Sequence, residues 1–141
     1  MLPIFLYAFA VLAALIHMWY GSKGKSAVEI LLSYILLFNV GVMGIIGFIM
    51  HVFFADETAR SIGWPTGSPF QFEMGMANLA FGILGILSYW IRGNFWTATI
   101  IGVSVLMLGC FAGHVYQYYM HDNTAPYNIG PLFGSMISLC P

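Results

Sequence analysis

The chain has 141 residues, 60% of them hydrophobic and 6% charged, with a formal net charge of −1 and a mean hydropathy of +0.87. Soluble domains carry about 25% charged residues, so a water-solvated globular fold is excluded and lipid must be the solvent for much of the surface. So small a net charge gives no argument for nucleic acid or any acidic partner, and no nucleic-acid partner is expected.

A membrane-spanning helix needs roughly 20 mostly apolar residues to cross about 30 Å of hydrocarbon. Four stretches meet that requirement, over residues 2–20, 27–55, 69–91 and 95–120. Their apolar runs are continuous and lack the period-two alternation of a membrane barrel. The reading is therefore all-α: a polytopic membrane protein built as a four-transmembrane-helix bundle over residues 1–120, followed by an ordered C-terminal tail at 121–141.

The first stretch has no basic segment ahead of it, so it is expected to be a retained span and not a signal peptide. Gly21 to Ser26 reads as a polar, flexible turn into the second span. The loop from Asp56 to Ser68 contains Trp64, an aromatic suited to the headgroup level. Ser68-Pro69-Phe70-Gln71 reads as a capping box that starts the third span, with Ser68 at N-cap and Gln71 reaching back from N3. Arg92-Gly93-Asn94 reads as a tight turn, Gly93 ending the third span and Asn94 capping the fourth.

Basic residues set the expected orientation. Lys23, Lys25 and Arg92 lie in the two short turns, against Arg60 alone in the longer loop. The positive-inside rule puts the short turns in the cytoplasm and both termini outside. The expected location is a bacterial or archaeal inner membrane, with lipid as the surrounding partner.

With that topology the ionisable residues inside the spans collect at the outer end. His51 lies about 6 Å below the outer end of the second span, and Glu73 about 6 Å into the third, at 1.5 Å per residue. His114 lies near the outer end of the fourth. Charges within a bilayer are costly, by about 2.5–3.5 kcal/mol at the centre, and they face the protein interior. His51, Glu73 and His114 are therefore the candidate ligand or metal site, with Asn78, Cys110, Gln117, Tyr118 and His121 as secondary candidates. Each has a plainer explanation beside it. A first-turn carboxylate is favoured by the helix dipole, His121 beside Asp122 suits an exposed interface, and intramembrane histidines also serve as interhelical hydrogen bonds. The inner end offers only His17 and Glu29, both near water.

Two histidines and a carboxylate are a sufficient donor set for copper, iron or zinc. His51 and His114 on separate helices could alternatively be axial ligands of a b-type haem. Cys110 and Cys140 form no CxxC pair and imply no zinc or disulfide framework. In the tail, Pro126, Gly130 and Pro131 break a helix, whereas Ile129, Leu132, Phe133, Met136, Ile137 and Leu139 are too apolar for disorder. The tail is expected to fold over the outer mouth of the bundle or to grip a partner.

Gly63-Trp64-Pro65, Ser68 to Gln71, Glu73, Asn78, Gly82, Gly85 and Gly113-His114 together resemble small bacterial four-helix membrane proteins of the DoxX-like kind and related uncharacterised families. That resemblance implies the architecture and, for some members, association with membrane oxidoreductase complexes. Three functions follow as expectations. The first is a ligand- or metal-binding membrane protein, such as an auxiliary subunit of a redox complex. The second is a structural or assembly subunit, within a homo-oligomer or a larger complex. The third is an enzyme handling a quinone or other lipid-soluble substrate.

Overall fold

The computed structural model describes residues 2–22 and 24–128, and among these there are helices and turns but no strand. Four helices are long and apolar enough to cross a membrane. The first is α1, Leu2–Tyr20. The second is continuous from Ala27 to Phe53 but changes pitch on the way. It runs as α2, Ala27–Ile35, then a π-helical segment, Leu36–Val42, then α3, Met43–Phe53. The third span is α5, Phe70–Leu87, and the fourth is α6, Asn94–His121. At 1.5 Å per residue α6 is about 42 Å long, more than the roughly 30 Å hydrocarbon core requires.

The connector between the second and third spans is not all loop. The backbone bends at Phe54 (φ −124°, ψ 42°) into a short helix α4, Ala55–Ser61. Its sequence suits a helix in water: Asp56 and Glu57 lie at the N-terminus and Arg60 in the last turn, each complementing the dipole. Thr58 donates to the Met50 carbonyl at 2.9 Å, tying α4 back to α3. The helix stops at Gly63, whose φ of +72° favours glycine. Gly63 N–H then bonds the Arg60 carbonyl and Trp64 N–H the Ala59 carbonyl, the two bonds of a Schellman cap.

Packing is uneven across the bundle. The most extensive contact joins the second span to α5, and α1 lies along α2 and the π-helical segment. Glycines make the central contact possible. A Cβ placed on Gly44 would sit 2.6 Å from the Gly82 Cα, and one on Gly41 would sit 2.9 Å from the Ile86 nitrogen. The two backbones touch directly, as small residues allow between membrane helices. By contrast α6 meets α5 over a short patch, where Gly102 lies against the Phe81 ring.

Three expected boundaries are corrected. Ser26, not Ser68, begins a capping box: Glu29 N–H donates to the Ser26 Oγ at 3.2 Å, and Ser26 N–H donates to the Glu29 Oε2 at 2.8 Å. At the third span Ser68 Oγ accepts only from Phe70 N–H, at 3.2 Å, and Gln71 does not reach back to it. At the fourth, Gly93 is the N-cap and Asn94 the first helical residue. Gly93 adopts φ +66° and ψ −129°, which an asparagine side chain would resist, and its carbonyl accepts from Trp96 and Thr97. The helix α5 also ends at Leu87, before the expected 91. Trp96 Nε1 donates to the Ser88 carbonyl at 2.6 Å and the chain tightens through Tyr89 and Trp90.

Residues 129–141 lie outside the described residues, so the expectations for Ile129, Leu132, Phe133, Met136, Ile137, Leu139 and Cys140 fall there.

Candidate functional site

The connector end of the molecule, where α3, α4, α5 and the end of α6 meet, holds the candidate residues. His51, in the last turn of α3, places Nδ1 2.7 Å from the Gln71 Oε1 in the first turn of α5. Gln71 is 2% exposed. Its burial explains why it cannot serve as a cap: the side chain turns inward to the histidine and not back along its own helix. The bond therefore joins the second span to the third.

His114 is held from a different direction. Helix α6 ends where Asp122 adopts the left-handed conformation (φ 50°), and the chain turns back. Asn123 donates to the Ile62 carbonyl at 2.9 Å, at the end of α4, and Tyr127 N–H donates to the Ser61 carbonyl at 3.2 Å. Asn128 then arrives beside α6, 4% exposed. Its Nδ2 donates to the His114 carbonyl at 3.2 Å and to the Asn123 carbonyl at 2.9 Å. Those two carbonyls orient the amide, so its Oδ1, 2.8 Å from the His114 Nδ1, faces a proton on that nitrogen. In the neutral ring the lone pair then resides on Nε2.

Trp64 closes the arrangement. Its indole stacks on the His114 ring, with centroids 5.6 Å apart and planes 26° apart, and meets Phe70 at 5.2 Å. The Trp64 Nε1 is buried and has no hydrogen-bond partner among the described residues. The outcome is a polar and aromatic knot that joins the Schellman cap of α4, the start of α5, the end of α6 and the segment after it.

The remaining candidates do not converge on it. Glu73 is exposed and has no hydrogen bond or ion pair among the described residues; as a first-turn acid it is accounted for by the helix dipole. Asn78 donates to the Met74 carbonyl of its own helix at 2.9 Å, with its Oδ1 against Gly47. Cys110 is half-buried and, among the described residues, in no disulfide. Gln117 lends its backbone carbonyl to Asn123 N–H at 3.2 Å. Tyr118 packs edge-on against Tyr119, and His121, exposed, packs edge-on against Tyr116. Among the described residues no three His, Cys, Asp or Glu side chains lie together as metal ligands. The donor set His51, Glu73 and His114 is therefore not assembled.

At the opposite end, where the short turns lie, the sequence reading expected little. The structure instead links three spans there. His17 Nδ1 on α1 lies 3.2 Å from the Tyr34 hydroxyl on α2, which lies 3.4 Å from the Tyr89 hydroxyl just after α5.

The chain belongs to DUF6790, a family of unknown function whose profile matches residues 1–140. No DoxX-like family matches, so the resemblance stands only at the level of an uncharacterised family. No curated protein and no solved structure matches the chain. Membership of DUF6790 thus assigns no reaction, and its function has to be argued from these side chains.

Sequence reasoning missed Gln71, Asn128 and the pair Tyr34–Tyr89. Gln71 was legible as a polar residue one turn into an apolar helix, but the cap motif absorbed it. Asn128 lies in a segment without periodicity, and its partner depends on how the chain turns after Asp122. Tyr34 and Tyr89 gave no signal, since tyrosines near a membrane boundary ordinarily mark the interface.

Proposed function

We propose that this DUF6790 member is a structural or assembly subunit of a larger membrane complex, with its short turns in the cytoplasm and its connector and termini facing outward. The observation that carries this reading is how the deep polar side chains are used. His51 spends Nδ1 on Gln71, and His114 spends Nδ1 on Asn128. Both bonds tie one segment of the chain to another, which is the ordinary work of polar residues between membrane helices. The slight packing of α6 on the rest of the bundle supports it further. Gly41, Gly44, Gly82 and Gly85 are each filled by a neighbouring backbone, whereas a Cβ on Gly109 or Gly113 of α6 would meet nothing within 4 Å among the described residues. The partner suited to that face is a transmembrane helix of another protein.

The test is isolation of the intact protein from its own membranes in a mild detergent, with cross-linking and mass spectrometry. The expected result is a defined membrane-protein partner cross-linked along α6. A lone chain carrying a stoichiometric metal or small molecule, lost on His51→Ala or His114→Ala, would contradict it.

One observation favours a second reading, a ligand held at His114. Asn128 orients the ring so that in its neutral form Nε2 keeps its lone pair, and the neighbouring Trp64 N–H has no partner among the described residues. Elemental analysis and visible absorption of the purified protein, repeated after His114→Ala, separate the two readings.

A further inference from the structure

The charged residues of the chain are divided unevenly between its two ends. The short-turn end carries Lys23, Lys25 and Arg92 against Glu29, a formal charge of +2. The connector end carries Arg60 against Asp56, Glu57, Glu73 and Asp122, a formal charge of −3. Pairing differs as well. Arg60 meets Glu57 at 3.9 Å, whereas among the described residues neither Lys25 nor Arg92 forms an ion pair. Glu29, the acid on their side, is engaged in its own helix cap, accepting from Ser26 N–H at 2.8 Å. The turns that carry the two cations lie together. The Tyr34 hydroxyl on α2 is 3.4 Å from that of Tyr89, three residues before Arg92, and the charges of Lys25 and Arg92 both act on the Glu29 carboxylate. Arg92 is steadied by the Trp96 ring, its guanidinium carbon 5.3 Å from the centroid. That contact uses the flat face of the group and leaves its N–H edge to meet an acceptor. The surface at this end is otherwise aromatic: Trp90 is 67% exposed, and Trp19 and Tyr20 at the end of α1 are 88% and 86% exposed. Exposed Trp and Tyr rings at helix ends belong to the headgroup level of a bilayer.

We propose that Lys25 and Arg92 bind the phosphate of an anionic phospholipid at the membrane boundary beside the short turns. Arg92 supplies a planar fork that matches two phosphate oxygens, and Lys25 a flexible ammonium that follows the headgroup. The net positive charge of this end sets the selectivity. A zwitterionic headgroup such as phosphocholine brings its own cation against Lys25 and Arg92, whereas phosphoglycerol brings none. A lipid suits the site better than an acidic soluble protein does. The two turns are only a few residues long and project little beyond the helix ends, so their cations reach the depth where phosphates lie, among the exposed rings. The inference does not depend on which protein packs against α6.

The experiment is native mass spectrometry of the full chain in detergent, titrated with phosphatidylglycerol or phosphatidylcholine of identical acyl chains. Phosphatidylglycerol should bind the wild-type protein more tightly. A basic side chain near an anionic lipid surface is worth about fivefold in affinity, so Lys25→Gln and Arg92→Gln should each weaken phosphatidylglycerol by about that factor and leave phosphatidylcholine unchanged. Arg60→Gln, at the acidic end, should change neither. Arg92→Lys keeps the charge and should retain most of the preference, which separates loss of the phosphate contact from loss of the stacking on Trp96. Inorganic phosphate at the concentration of the lipid should not displace it. The proposal is overturned if the two lipids bind alike, as they would where these cations serve an acidic protein. It is also overturned if Lys25→Gln and Arg92→Gln leave the preference intact, if Arg60→Gln lowers it equally, or if inorganic phosphate competes. Should Arg92→Gln not fold, Lys25→Gln and the wild-type preference still decide.

Discussion

Replacing Gly44 by alanine adds one methyl group where α3 and α5 touch backbone to backbone. The new Cβ would lie 2.6 Å from the Gly82 Cα, 2.7 Å from the Asn78 carbonyl oxygen and 2.7 Å from the Gly82 nitrogen. All three are backbone atoms, so no rotamer change relieves the clash. Ordinary contact begins at 3.4 Å, and the helices must part by about 0.8 Å. A gap of that size forfeits a quarter to a half of the dispersion well for each facing atom pair, and overpacking of this kind costs about 1–3 kcal/mol. The substitution also gains up to about 1 kcal/mol, because alanine is the better helix former. Gly113→Ala is the control, since a Cβ there meets nothing within 4 Å among the described residues. It should show the propensity gain alone, so the two variants should differ by about 1–3 kcal/mol, the overpacking cost itself. Thermal unfolding in a single detergent, followed by intrinsic fluorescence, measures the difference. A Gly44→Ala protein as stable as Gly113→Ala would refute the direct backbone contact.

A double-mutant cycle on His51→Ala and Gln71→Leu should return a coupling of about 0.6 to 1.7 kcal/mol, the range of hydrogen bonds between membrane helices; additive effects would show that the bond contributes nothing. Asn128→Ala strips the His114 Nδ1 and two carbonyls of a buried partner, at a cost of about 1–3 kcal/mol. Limited proteolysis should then cut the segment after α6 faster, whereas an unchanged digest would show that Asn128 does not anchor it. Ser26→Ala removes the cap of the second span and should cost about 1 kcal/mol, read from the same unfolding curves; Ser68→Ala should cost less.

What was legible in the sequence follows a physical division. Span length and continuity depend on composition along one stretch of chain, so the four helices could be read from it. Ser26-Ala27-Val28-Glu29 carries a readable capping signature, but the lysine-rich turn beside it hid the signal. Ser68 to Gln71 carries the same pattern, and there burial decided otherwise: Gln71 found a histidine on another helix. Helix α4 was missed because its seven residues are polar and short. The partners of His17, His51 and His114 were out of reach, since each depends on which helices cross and how far along. Depth in the membrane marked His51 and His114 as deep polar groups, but their amide partners Gln71 and Asn128 depend on how the chain folds.

The claim that the two deep histidines are ties between segments is tested most directly by nitrogen-15 NMR of protein labelled at histidine and asparagine, reconstituted in lipid. For His114 the account predicts a proton on Nδ1 and a through-space correlation to the Asn128 side chain. A bare Nδ1, a metal-shifted resonance, or no correlation with Asn128 would contradict it.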